Sequence, residues 1–143
     1  MNDIALLKLE REVPLDDNVK PICIYAKIDS QIERAVDSKR DLRQSYHNFE
    51  ADGEVSIGNA IHHNVKRCKD EFGDDRGQHI ICAEPTKSDM YRGTGGGPLE
   101  LLTKDSQAVQ VGIVSLGRAD DTGPQIYTNV LHFTDWIVKE MRK

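Results

Sequence analysis

The most unusual stretch of this sequence is a glycine cluster at residues 93–97, which is followed by Pro98. Glycine-rich loops can bind phosphate, but a phosphate loop ends in Gly-Lys-Ser/Thr and opens a helix, and this stretch does neither. A dinucleotide fingerprint needs glycine at its sixth position, where Pro98 stands and prevents a helix from continuing. Without further context, the cluster indicates a tight turn whose glycines adopt positive φ angles.

Three cysteines, Cys23, Cys68 and Cys82, give an odd count, so the chain holds either one disulfide and one free thiol or no disulfide. No Cys-x-x-Cys motif occurs, which excludes a zinc ribbon or a thioredoxin-type site. The polar segment between Cys68 and Cys82 contains Gly73 and Gly77 and could be closed by a disulfide. Two buried thiols are an equal alternative at this point.

A metal site could be sought at His62 and His63 with Cys68, but their spacing fits no common zinc pattern. We therefore expect no metal, and no motif points to a cofactor.

The composition limits the class of protein. The chain has 143 residues, with 19 Lys and Arg against 24 Asp and Glu, a formal net charge of -5 and a 38% hydrophobic content. The length suits one domain. An acidic chain without a basic stripe does not favour nucleic acid. No apolar run is long enough for a membrane span, and residues 1–7 lack the basic region of a signal peptide.

Short apolar runs separated by turn residues predict a mainly β chain. Residues 4–9 indicate a mostly buried strand, and residues 21–25 form a second apolar run. Residues 31–44 fit either a helix or a long surface connection. Further strands are predicted at 54–57, 79–83, 110–116 and 125–130, a pattern typical of a sandwich or barrel.

The last part of the chain has a helical pattern. Its apolar residues are spaced at i, i+3, i+4 and i+8, at Phe133, Trp136, Ile137 and Met141. Basic residues follow at the end, where they suit the helix dipole. A terminal helix is therefore predicted after the strands.

Six motifs in one order resemble the second half of a trypsin-like (chymotrypsin-fold) serine protease, most nearly the secreted cascade proteases of arthropods. They include Asp-Ile-Ala-Leu-Leu near the start and Gly-Gly-Pro-Leu in the glycine cluster. The motifs lie at residues 2–7, 20–23, 81–83, 93–99, 112–117 and 126–137. The match covers nearly the whole chain and is weakest at 27–66.

The resemblance implies that the catalytic machinery is incomplete. Asp3 matches the triad aspartate that orients the catalytic histidine, but none of the five histidines falls in that histidine's motif. The nucleophilic serine is replaced by Gly95. Thr94 stands where an aspartate pairs with the new amino terminus after activation. A glycine offers no nucleophile, so no acyl-enzyme is expected.

The resemblance implies that parts of the substrate cleft are retained. The backbone N–H groups of Gly93 and Gly95 match the oxyanion hole. Asp89 matches the pocket aspartate that selects Arg or Lys, although a plain loop aspartate is an equal alternative. Ser115 and Gly117 match the strand that pairs with a substrate backbone, which here lacks its usual aromatic residue.

The resemblance also makes the Cys68–Cys82 disulfide the expected pairing. Cys23 matches the cysteine that joins the catalytic domain to an upstream chain. Tyr91 and Asp121 replace the two cysteines that brace the specificity pocket in the family.

The expected fold is therefore all-β. Residues 1–10 would be a remnant strand of the first barrel, residues 11–49 a connection, residues 50–130 the second six-stranded barrel, and residues 131–143 the C-terminal helix. The expected function is a non-catalytic protease homologue in an extracellular proteolytic cascade, with protein partners. The alternatives are a divergent serine endopeptidase of Arg/Lys specificity and a degenerate product without function.

Overall fold

The computed structural model describes residues 2–26, 41–48, 53–73, 76–91 and 93–142. Its central feature is a closed barrel of six antiparallel strands. The possible helix over 31–44 lies mostly outside the described residues. The strands are β1 (Asp41–Asn48), β2 (Glu54–His63), β3 (Ile80–Pro85), β4 (Pro98–Leu102), β5 (Ala108–Leu116) and β6 (Gln125–Asn129).

Around the barrel the strand order is β1-β2-β3-β6-β5-β4, and β4 pairs with β1 to close it. Closure removes the free strand edges at which other chains could pair. The all-β barrel with a C-terminal helix is thereby confirmed. β4, which follows the glycine cluster directly, was not predicted as a strand.

The barrel interior is filled by side chains that alternate along the strands, as a period of two requires. On β1, Leu42, Gln44 and Tyr46 are buried, and Tyr127 of β6 is fully buried opposite them. Most of the remaining core is aliphatic. Its buried members are Leu42, Ala60, Ile81, Ala83, Leu99, Leu101, Val111, Val114, Tyr127 and Leu131.

The barrel begins at Asp41, earlier than the boundary near residue 50 that the sequence indicated. The strand was missed because one of its inward positions is Gln44, which breaks the apolar alternation. Its register is set by pairing with β2, in which Gln44 lies opposite Gly58.

The strand predicted over residues 4–9 is not formed, so that prediction was wrong. Residues 2–22 form no strand with any described residue, and Leu7 is 90% exposed. An apolar run becomes a strand only when a neighbouring strand satisfies its backbone, and none of the described strands does so. The later apolar run makes one contact of this kind, a parallel bridge between Cys23 and Val109.

Helix α1 (Val65–Phe72) carries Cys68 and extends into the segment between Cys68 and Cys82, where the sequence indicated a polar loop. Asn64 caps its start by accepting from the Lys66 N–H at 2.9 Å, and Gly73 ends it in the left-handed conformation. Its apolar residues, Val65, Cys68 and Phe72, stand at i, i+3 and i+7, but they span only two turns among five charged residues, and only Cys68 is buried.

The C-terminal part confirms the predicted helix, which follows a 3-10 turn (Val130–Phe133) as α2 (Thr134–Glu140). Ile137 is buried, whereas Met141 lies beyond the helix and is exposed. In the described part of the chain, no helix is long and apolar enough to cross a membrane.

Candidate functional site

The glycine cluster forms a loop that is fastened to β5 by backbone hydrogen bonds. The N–H of Gly96 donates to the Val114 carbonyl, and the Val114 N–H donates to the Gly97 carbonyl, each at 2.9 Å. Gly93 and Gly96 have φ angles of 67° and 84°, which favour glycine. A Cβ at Gly97 would lie 2.8 Å from the Thr94 carbonyl oxygen. The loop conformation therefore depends on glycine at three of these positions.

Gly95 differs from these neighbours because its surroundings would admit a side chain. It is exposed, its φ is not positive, and a Cβ there would meet no atom within 4 Å. The absence of a side chain at position 95 is therefore not required by the fold. As the chain stands, this position offers backbone groups and no nucleophile.

Thr94 is 5% exposed and is held by the preceding turn. Its hydroxyl is positioned to donate to the carbonyls of Met90 (3.2 Å) and Tyr91 (3.0 Å). The side chain is satisfied without a charged partner, as a buried neutral hydroxyl must be.

Asp3 lies against the ends of β5 and β6. Its carboxylate accepts from the Ser115 hydroxyl at 2.7 Å, and its carbonyl accepts from the Thr128 hydroxyl at 2.7 Å. Ile4 and Ile24 pack next to it on a cluster that includes Phe133 and Ile137. The structure thus brings Asp3 and Ser115 together, and Ser115 directly follows the residue that holds the glycine loop.

The five histidines lie on other elements. The Nδ1 atom of His47 is 2.9 Å from the Gly53 carbonyl, in the turn between β1 and β2. His63 contacts Glu84 at 3.0 Å, and the rings of His79 and His132 stack with centroids 3.8 Å apart. The last histidine, His62, is on β2 opposite Ala83.

Asp89 is half-buried in a 3-10 turn (Ser88–Met90). Its Oδ2 accepts from the hydroxyl of Tyr46 at 3.0 Å. Burial, followed by the hydrogen bond and the negative charge of Asp89, raises the pKa of Tyr46. The carboxylate is therefore paired with a phenol that remains protonated at neutral pH.

The turn at Met90 is joined to β6 by a chain of buried polar groups. Gln44 Nε2 donates to the Met90 carbonyl at 3.0 Å. The hydroxyl of Tyr127 lies 2.6 Å from Gln44 Oε1 and 3.0 Å from Gln125 Oε1. Burial raises the pKa of Tyr127. None of these three side chains was predicted to belong to the site, since the sequence signal was no more than a glutamine at an inward position of a strand.

Tyr91 links the turn at Met90 to the loop after β5. Its hydroxyl donates to the Gly123 carbonyl at 2.6 Å. Burial, with a smaller contribution from the charge of Glu84, raises the pKa of Tyr91 to about 12. Tyr91 is one of the two residues that were expected to replace the cysteines of a family disulfide. A hydrogen bond therefore connects these two loops.

The same loop carries an ion-pair network at its surface. Arg118 contacts Asp120 at 2.6 Å and also pairs with Glu71 of α1. Hydrogen bonds from Arg118 lower the pKa of Asp120. The network connects this exposed loop to α1.

Cys68 and Cys82 form the expected disulfide, with their Cα atoms 5.8 Å apart. It attaches α1 to β3, and Ile80, Ile126 and the half-buried Phe72 pack around it. Cys23 is a free thiol in this structure. Within the described ranges, no group of three or more His, Cys, Asp or Glu side chains could hold a metal ion.

Residues 1–137 match the family model described as Trypsin. This chain belongs to the trypsin family. The match covers the glycine loop, Asp3 and the whole barrel, so the resemblance drawn from six short motifs is confirmed.

Relatives in the trypsin family come from both mammals and arthropods. The chain is 30% identical to Mast cell protease 3 of Ovis aries over 99% of its own length and 55% of that protein. It is 28% identical to Serine protease snk of Drosophila melanogaster, over 96% of its length and 34% of that protein. It is also 28% identical to Venom protease of Bombus pensylvanicus, over 99% of its length and 61% of that protein. The chain thus spans about half the length of such trypsin-family relatives.

A solved structure supports the trypsin fold. The Drosophila Grass clip serine protease of the Toll pathway superposes with a TM-score of 0.73 over 93% of this chain and 41% of that one, at 22% identity. In this barrel, Asp3 contacts Ser115 and the glycine loop contacts the neighbouring Val114, both near the end of β5. The roles expected for Asp89, Gly93, Gly95 and Gly117 remain predictions.

Proposed function

We propose that this chain is a non-catalytic member of the trypsin family that acts as a binding or regulatory module in an extracellular proteolytic cascade. The observation that carries the proposal is the glycine at position 95, where the family's nucleophilic serine is expected. Covalent catalysis requires a side chain that attacks the carbonyl and a base that activates it. Gly95 supplies no such side chain.

The groups that remain are suited to recognition. The Gly93 and Gly95 positions present backbone N–H groups in a loop fixed to β5, and Asp3 is paired with Ser115 at 2.7 Å. Hydrogen-bond donors of this kind can hold a peptide carbonyl or an anion. They give only residual catalysis when nucleophile and base are missing.

The proposed partners are proteins, such as a cascade component or an upstream chain attached through Cys23. One arthropod relative supports a role in a pathway: the solved structure is that of a clip serine protease of the Toll pathway. The Cys68–Cys82 disulfide supports an extracellular location, because such bonds persist in oxidising compartments. An acidic chain does not favour a nucleic acid partner.

The second candidate is a divergent serine endopeptidase with specificity for Arg or Lys. It is favoured by the retained Asp3–Ser115 contact and by a carboxylate at Asp89. It requires a nucleophile other than position 95. The two candidates therefore differ in one measurable property, the presence of an activated nucleophile.

The experiment measures hydrolysis of peptide substrates with Arg or Lys before the cleaved bond, alongside labelling by an active-site-directed phosphonate. We expect the chain to show neither. The Thr94→Asp/Gly95→Ser variant should also remain inactive, because its new hydroxyl has no motif histidine to remove its proton. Loss of one triad member can reduce activity by roughly a millionfold.

Gly95→Ala is the matched control for the serine variant, since the open space at position 95 should accept either side chain. Trypsin serves as the positive control for both assays. Turnover by the unmodified chain would overturn the proposal in favour of the endopeptidase. Phosphonate labelling of the serine variant but not of Gly95→Ala would show that the chain does supply a working base.

A further inference from the structure

A buried glutamine of the barrel lies next to the region where a trypsin-family pocket is expected to bind a basic side chain. The expected pocket would lie between the turn that carries Asp89 and the strand end that carries Gly117. Gln125 begins β6 directly behind Gly117 and is 1% exposed.

The distances show direct contact beneath Gly117. A Cβ at Gly117 would lie 3.1 Å from both Cγ and Nε2 of Gln125 and 3.4 Å from its Cδ. These are separations at or inside van der Waals contact for carbon atoms. The glutamine side chain therefore lies against the backbone of the residue expected to line the pocket.

The side chain is also fixed in that place. Gln125 Oε1 lies 3.0 Å from the Tyr127 hydroxyl, which contacts Gln44, and Gln44 donates to the carbonyl of Met90. Thr94 directs its hydroxyl to the same Met90 carbonyl. This buried chain of side chains runs from behind Gly117 to the residue next to Asp89. Moving Gln125 aside would break its buried hydrogen bond with Tyr127, which is costly in a low-dielectric interior.

We propose that Gln125 is the specificity-determining residue of this cleft and that it closes the pocket to Arg and Lys side chains. A peptide that pairs with the end of β5 must then place a small side chain, glycine or alanine, opposite Gly117. The inference rests on the proposed function as a peptide-binding module and names the class of segment that the module accepts. Asp89, paired with Tyr46, does not select the ligand while Gln125 is present.

Benzamidine is a suitable probe because its planar cation matches a carboxylate, and neutral benzamide has the same shape without the charge. Binding is measured by titration calorimetry and by the shift in Tm. We expect no binding to the unmodified chain. Gln125→Gly should bind benzamidine at least tenfold more tightly than the unmodified chain does, and more tightly than it binds benzamide.

Gln125→Ala is a second opening variant that keeps a Cβ and protects the test against misfolding of the glycine variant. Adding Asp89→Asn to either variant should remove the preference for benzamidine over benzamide. The inference would be overturned if the unmodified chain bound benzamidine as tightly as the two opening variants do. The absence of any gain in both folded opening variants would also overturn it.

A further readout tests the contact from the side of Gly117. Gly117→Ala should lower the midpoint of urea unfolding in the unmodified chain, because its Cβ meets Gln125, and should lower it less in the Gln125→Ala background. An unchanged midpoint in the first case would show that the space behind Gly117 is open, contrary to the inference. Hydrolysis of substrates with small side chains would instead overturn the non-catalytic function while leaving Gln125 as the determinant.

Discussion

At the scale of single residues, Gly95 and Gly97 of one loop differ in whether the fold requires a glycine. Gly95 faces open space, whereas a Cβ at Gly97 would lie 2.8 Å from the Thr94 carbonyl oxygen and 3.4 Å from that of Ser45. Backbone atoms at these distances cannot move aside as a flexible side chain could. The glycine at position 97 is therefore structural, and the glycine at position 95 bears on function.

A matched pair of alanine variants tests this distinction. We expect Gly97→Ala to lower the free energy of unfolding by about 1–3 kcal/mol through overpacking. Gly95→Ala should leave it nearly unchanged or raise it by up to about 1 kcal/mol, because the unfolded chain loses entropy. Urea unfolding measures both. Similar losses in the two variants would contradict the open space at position 95.

Tyr91 gives a second prediction at this scale. Tyr91→Phe removes the hydrogen bond to the Gly123 carbonyl and should lower the free energy of unfolding by about 1 kcal/mol at neutral pH. Folding raises the pKa of Tyr91 from 10.0 to about 12. The unfolded phenol therefore ionises first, and the stabilisation, complete below pH 10, declines as the pH rises towards 12.

The measurement is urea unfolding of both proteins at several pH values from 8 to about 11. The stability gap between the unmodified chain and Tyr91→Phe should narrow above pH 10, since phenylalanine does not ionise. A gap that stayed constant or widened with pH would contradict the burial and pairing of this phenol.

At the scale of elements, the Cys68–Cys82 disulfide stabilises a helix that its own sequence does not favour strongly. The two cysteines are 14 residues apart. Closing a loop of this length contributes roughly 3 kcal/mol in the chain-entropy model. Cys82→Ser should reduce the free energy of unfolding by about that amount and remove hydrogen-exchange protection from α1. Cys23→Ser is the matched control and should preserve both, whereas equal loss in the two variants would contradict the assignment.

The elements that sequence could predict were those whose pattern arises from the chain itself. β5 was found because apolar residues dominate it, β6 because it is rich in β-branched and aromatic residues, and the terminal helix because its spacing is helical. β1 was missed because Gln44 is buried through hydrogen bonds to Met90 and Tyr127, which no local pattern reveals. α1 was missed because it is only eight residues long and its few apolar positions stand among charged residues.

Some residues of the candidate site could likewise be predicted from the sequence, and others could not. Motif order was enough to select Asp3, Ser115 and the glycine loop, and the structure places Asp3 and Ser115 in contact. Motif order could not select Gln125, because a glutamine in a short strand indicates no role until its neighbours in the fold are known. The effect of Gln125 depends on its packing behind Gly117, a contact set by the barrel as a whole.

At the scale of the whole molecule, residues 2–26 carry many of the exposed large apolar side chains of the described residues. Ile4 and Ile24 pack on the cluster beside α2, but other apolar side chains of this segment face outward. Leu7 is 90% exposed, and Leu9 and Leu15 are each 64% exposed. Large apolar side chains that are exposed in one short segment favour association with another surface.

We therefore expect the isolated 143-residue chain to self-associate through this segment. Leu7→Glu/Leu9→Glu should shift it towards monomer in light scattering across a concentration series, because charged side chains oppose burial at an interface. Val55→Glu is the matched control, since Val55 is exposed to a similar extent, 66%, but lies on β2 outside this segment. Cys23→Ser separates a disulfide-linked dimer from one held by apolar contact: the first disappears in the variant, and the second does not. A compact monomer at all concentrations, with or without the substitutions, would show that the exposed leucines are tolerated by a self-contained fold.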